Sequence, residues 1–136
     1  MRNSLSKHET WLKKLNLKEI PIHMGMFDFG INCVIGDYKG VDEYIQTKFD
    51  DPEFKASNFD QGYEPRGKCL YCPGYQPVIW IPRYPKTPRE HATLAHESLH
   101  AMFHVVRWAA IPIDDSTEEV MTHGMAHIIH EIIKSK

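Results

Sequence analysis

Between residues 25 and 36 the chain reads GMFDFGINCVIG, with Phe27, Phe29, Ile31, Cys33 and Ile35 at every second position. A period of two places these side chains on one face of a β-strand. Around it the pattern changes. Residues 4–19 set Leu5, Trp11, Leu12 and Leu15 among charges, which predicts a helix. GDYKG then reads as a turn, and VDEYIQTKF as a short helix. Residues 50–77 are rich in Asp, Gly and Pro and read as irregular chain. Val78–Ile81 is a short β-favouring run with Pro77 and Pro82 at its two ends. Prolines so placed suit an edge strand better than a central one.

The helical period is clearest after residue 87. Thr87 can cap a helix over residues 87–110, Pro88 suits its first turn, and Glu90 lies near the positive end of its dipole. Ala92, Ala95, Leu99, Met102, Phe103 and Val106 predict its buried stripe. IPIDDS interrupts the pattern. Ser116 or Asp115 then caps a second helix over residues 117–134. Glu118 and Glu119 stand in its first turn, Lys134 in its last, and Met121, Met125, Ile128, Ile129 and Ile132 form its apolar face.

Composition narrows the class. The 136 residues suit one domain, spanning 1–136, with 42% hydrophobic and 25% charged positions, as in an ordinary globular chain. The net charge is −2 and Lys and Arg are scattered, so no basic stripe points to nucleic acid. No apolar run approaches the ~20 residues needed to cross a bilayer. MRNSLSKHETWLKKL lacks the apolar core of a secretory signal. With three cysteines, an odd count, the expectation is reduced thiols and a cytoplasmic location.

Histidine is the unusual residue. There are 9, and all but His8 and His23 lie after residue 90. His96 and His100 are four apart on the stronger helix, so their side chains are neighbours able to share one metal ion. Glu97 lies about 100° round the helix from His96. It is poorly placed to ligate with them but can reach a water on the metal. That is the mechanical content of an H-E-x-x-H motif, here His96-Glu97-Ser98-Leu99-His100. The bland alternative is a pair of solvent-facing histidines on an amphipathic helix. A zinc hydrolase also needs a third protein ligand and an open fourth position. Glu118 and Glu119 follow His100 by 18 and 19 residues, and the short connection makes the two helices neighbours.

With these residues the chain resembles the gluzincin branch of the zincin metallopeptidases, above all the very small members met in phage and bacterial genomes. The resemblance covers residues 78–133. It implies an α+β, zincin-like domain: a small, mostly antiparallel sheet with an edge strand (Val78–Ile81), the motif helix and a following ligand helix. It implies a Zn2+ cofactor held by His96, His100 and a downstream glutamate, a peptide or protein substrate, and Glu97 as the base that activates water. In that group the ligand glutamate is followed by a small residue at +3, a polar or aromatic one at +4 and a small one at +7. Thr122, His123 and Ala126 fit that pattern from Glu119, whereas Met121, Thr122 and Met125 fit it poorly from Glu118. The apolar face of the helix argues the other way, because Glu118 lies nearer its centre. Position 106 is Val rather than a third metal histidine, which excludes the metzincin pattern.

Other residues are weighed with these. His123 can orient a ligand or stabilise an oxyanion, and Tyr84 is a second candidate for the latter role. His104 continues the row of His96 and His100 as a cleft-lining side chain. Cys69 and Cys72 form a lone C-x-x-C, most simply two ordinary thiols in a turn. KCLYCP also faintly resembles the segment from which peptide deformylases take an upstream cysteine ligand. A zinc amidase of that type, and a metal-stabilised module without catalysis, are the competing readings.

Overall fold

A computed structural model describes residues 5–25, 29–54 and 66–136. It shows a mixed α+β architecture. The four α-helices among the described residues are α1 (Lys7–Leu15), α2 (Val41–Lys48), α3 (Pro88–Trp108) and α4 (Glu118–Lys134). The strands are β1 (Leu17–His23), β2 (Gly30–Gly36), β3 (Lys68–Leu70) and β4 (Val78–Ile81), in the order β1-β2-β4-β3. β1 and β2 pair antiparallel, as do β3 and β4, while β2 and β4 run parallel.

Alternation along the strands sends side chains into two separate cores. Ile31, Cys33 and Ile35 of β2 and Ile79 and Ile81 of β4 join Leu94, Met102 and Val105 of α3 and Ile128 and Ile132 of α4. On the opposite face, Val34, Val78 and Trp80 pack with Leu12 and Leu15 of α1 and Val41, Tyr44 and Ile45 of α2. The sheet is therefore the middle layer of three. All four residues of β4 are buried, and each fully buried Ile contributes roughly 1.5–3 kcal/mol.

Several expectations are corrected here. Val78–Ile81 is a strand, but an interior one with partners on both sides. Pro77 and Pro82 lie just outside it, so they fix its length and leave its own N–H groups free for the ladders. The chain's short edge strand is β3, inside the stretch read as irregular. The first helix ends at Leu15, where Asn16 takes a left-handed C-cap (φ 57°), and Leu17–His23 is the other edge strand. Pro21 is compatible with that edge position. The alternation around Phe29, Ile31, Cys33 and Ile35 holds, though the strand starts at Gly30. Phe27 lies outside the described residues.

α3 begins as expected. Thr87 and Glu90 form a reciprocal capping box, and Arg83 adds two hydrogen bonds to the Glu90 carboxylate. Its buried stripe is rotated from the predicted one. Leu94, Ser98, Ala101, Met102, Val105 and Val106 are buried, whereas Ala92 is exposed and Leu99 is 38% exposed. The small Ser98 is fully buried, at a position that hydropathy alone assigns to solvent. Asp114 rather than Asp115 or Ser116 supplies the cap before α4. It accepts the Ser116 N–H at the start of a short 3-10 turn, Asp115–Thr117.

Candidate metal centre on the third helix

The helical spacing of His96 and His100 brings their rings together on the solvent side of α3. The two Nε2 atoms are 3.1 Å apart. Two nitrogens on a tetrahedral zinc, each about 2.05 Å from the ion, stand about 3.3 Å apart. The pair therefore matches one edge of that tetrahedron. Without metal, one imidazole must donate to the other. His96 remains 68% exposed at its side chain.

Glu97, one residue on, turns toward β3 and is only 12% exposed at its side chain. Its Oε2 accepts the main-chain N–H of Cys69 at 2.6 Å, and Oε1 lies 3.9 Å from His96 Nε2. Burial pushes the Glu97 carboxyl above its ordinary range. The Cys69 N–H and the charges of His96, His100 and Lys68 offset part of that rise. The motif thus presents two exposed imidazoles beside one sheltered carboxylate, as its spacing implies.

β3 and the residues flanking it lie along this side of α3. A Cβ on Gly67 would touch Thr93, Cys69 meets Glu97, and the Tyr71 ring stacks on His104 at 3.8 Å between centroids. His104 Nδ1 is buried, with no hydrogen-bond partner among the described residues. Burial, then the charges of Arg107 and His100, hold its pKa below the usual histidine value. His104 lines the surface as expected. Sequence reasoning misses Tyr71 and the Cys69 main chain, because the three-residue strand is too short to display a period.

The third ligand is not gathered with the pair. Among the described residues, no three His, Cys, Asp or Glu side chains form a group able to hold a metal ion. Glu119 is 82% exposed at its side chain, and its carboxylate lies 3.0 Å from Nε2 of the equally exposed His123. Glu118 is exposed as well. α3 and α4 run antiparallel: Met102 lies against Gly124, and Tyr84, just ahead of α3, meets Ser135 beyond α4. With 1.5 Å of rise per residue, Glu119 sits roughly 10 Å further along the helix pair than His100. The small residues beside Glu119 do not make the close contact expected of them. Thr122 and Ala126 are exposed, and Gly124 is the position where a side chain would strike Met102.

Tyr84 is not placed as an oxyanion partner. Its hydroxyl accepts from Lys18 at 2.6 Å and meets the Ser135 hydroxyl at 2.9 Å. The two thiols of the C-x-x-C part company: Cys69 packs with the core under α3, Cys72 with the core on the other face. Burial, with the Glu97 charge adding to it, pushes the Cys69 thiol up to about 12. Among the described residues no helix is long and apolar enough to cross a membrane.

No family model, curated protein or solved structure matches the chain.

Proposed function

We propose that the chain is a zinc-dependent metallopeptidase of the small gluzincin type, working in the cytoplasm of a bacterial or phage-infected cell. The observation that carries the reading is the His96–His100 pair at a tetrahedral edge length, with a sheltered carboxylate one residue away. A structural metal site has no need of such a base. The three free thiols support a reducing compartment.

The donor chemistry fits zinc at two positions: two imidazole nitrogens, exposed and adjacent. His96, His100 and Glu119 would hold the ion. The His123 imidazole supports Glu119 in that role, because it is within reach to orient the carboxylate. Bringing Glu119 to the pair requires α4 to advance along α3, or the carboxylate to swing inward. When bound, zinc supplies Lewis acidity toward a peptide carbonyl.

The chain's own groups do the rest. Glu97, through Oε1, takes a proton from the attacking water and passes it to the departing amine. Its shelter raises its proton affinity toward the range useful for that transfer. His123 is the candidate oxyanion partner only if it releases Glu119, since its imidazole lies 3.0 Å from that carboxylate.

One observation favours the second reading, an amidase with an upstream cysteine ligand. Cys69, not Glu119, is the residue that meets Glu97 on the motif helix, through its main-chain N–H. Its thiol is buried and strongly protonated, which a metal ligand must overcome.

The test is turnover of a quenched-fluorescent peptide library, with and without a chelator. The proposal expects cleavage that the chelator abolishes and zinc restores. Cleavage that survives the chelator, or none at all in zinc-loaded protein, would count against it.

A further inference from the structure

Resting on the peptidase reading, we infer that the Cys69 main-chain amide is the positioning group for Glu97, holding the base at a fixed place beside the histidine pair. Among the described residues β3 is an edge strand of the sheet, paired with β4. Cys69 lies opposite Ile79, and its N–H points away from β4 to the Glu97 carboxylate at 2.6 Å. That is a short, charge-assisted bond for an amide donor. Edge amides in small proteins usually face water. This one is spent on the single half-buried carboxylate of the motif.

The geometry around it restricts movement on both sides. The Tyr71–His104 stack anchors the chain two residues after Cys69. A Cβ on Gly67 would come within 2.9 Å of Thr93, so the chain two residues before Cys69 also lies close on α3. The amide is thus carried on a backbone pinned to α3 at both ends. Oε2 is occupied by this bond, while Oε1 is left toward His96. One oxygen holds the carboxylate and the other is free for proton transfer. A glutamate has three rotatable side-chain bonds, so without such a tether it would sample orientations useless for the reaction. The thiol itself plays no part in the tether, because the donor is the main chain.

Two substitutions at one position separate the amide from the thiol. Cys69→Pro removes the N–H donor together with the thiol, at an edge position where proline is tolerated. Cys69→Ala keeps the N–H and removes the sulfur. With zinc-loaded full-length protein and a cleaved peptide, Cys69→Pro should lower kcat about tenfold to a hundredfold. KM should stay within about twofold of the parent and zinc content should be unchanged. Cys69→Ala lacks the same sulfur, so the kcat loss in Cys69→Pro should exceed that in Cys69→Ala by about tenfold or more, with zinc retained in both. Unchanged kcat in Cys69→Pro would overturn the inference alone, leaving the peptidase reading intact. Loss of zinc in Cys69→Ala would overturn it in favour of a thiolate ligand. No turnover by the parent protein would overturn the peptidase reading, and the inference with it. If Cys69→Pro does not fold, hydrogen exchange decides. The Cys69 amide should be protected in the parent and exchange at least tenfold faster in Glu97→Ala, with Lys68 and Leu70 unaltered. Equal exchange would overturn the inference.

Discussion

Two carboxylates on opposite faces of the sheet are sheltered to the same degree, Glu19 at 13% side-chain exposure and Glu97 at 12%. Their proton affinities nevertheless move in opposite directions. For Glu19, burial raises the pKa, but hydrogen bonds from Tyr44 and His8 and the charge of Lys48 outweigh it, and the net shift is downward. Tyr44 donates its buried hydroxyl to Oε2, His8 meets Oε1 at 2.9 Å, and Lys48 stands 3.3 Å from Oε2. Glu97 has one main-chain N–H and more distant charges, and burial wins. Equal burial thus gives a stabilising carboxylate where partners are complete and a poised one where they are not. The face formed by α1 and α2 is tied together by Glu19. The face formed by α3 and α4 keeps its polar groups unfinished, with Ser98 Oγ and His104 Nδ1 both buried and unpartnered among the described residues.

The sharpest way to break this contrast is to neutralise each carboxylate in turn. Glu97→Gln should cost ~10²–10⁴-fold in peptide turnover while leaving zinc content and thermal stability near those of the parent. Glu19→Ala should leave kcat unchanged in the folded protein. It should lower unfolding free energy by about 1–3 kcal/mol, because the Tyr44 hydroxyl is left buried without an acceptor. Urea denaturation and steady-state kinetics on both variants decide the matter. A stability loss at Glu97 and a rate loss at Glu19 would reverse the assignment.

Acid sharpens the comparison further. A carboxyl with a depressed folded pKa binds fewer protons folded than unfolded across the window between the two values. Stability therefore rises with pH through that window. The Glu19 contribution is complete above its ordinary value of 4.5 and is lost as pH falls through its lower folded value. Urea midpoints of the parent should fall toward those of Glu19→Ala between about pH 5 and 3. A constant gap over that range would show that Glu19 acts through packing alone.

The smallest expected effect is at Ser98. Its hydroxyl is fully buried and has no partner among the described residues, so Ser98→Ala should be neutral or stabilising by up to about 1 kcal/mol. A clear loss of stability would reveal a hydrogen bond that Oγ makes within the core.

The same contrast explains what could be read from the sequence. α3 was legible because its start is written locally, in Thr87, Pro88 and Glu90, and its histidine pair follows from helical geometry alone. β4 was legible as a strand but not as an interior one, because flanking prolines constrain length and carry no information about neighbours. β3 has only three residues, too few to display a period, and so Cys69 and Tyr71 were not seen as partners of α3. β1 was hidden by Lys18 and Glu19, which extend the charged character of α1. The Glu19 network joins residues from α1, β1 and α2, a meeting that only tertiary structure creates. The short connection to α4 told that the helices are neighbours but not their register along the axis. That register sets Glu119 apart from His100, and the small residues beside Glu119 could not reveal it.

Metal content measured on the purified protein bears most directly on the proposed centre. Elemental analysis after dialysis against micromolar zinc should find about one zinc per chain. His96→Ala and His100→Ala should retain almost none. Glu119→Ala should bind more weakly than the parent, and Glu118→Ala should bind as the parent does. No zinc in the parent protein, or equal zinc in the parent and both histidine variants, would contradict a metal site on α3.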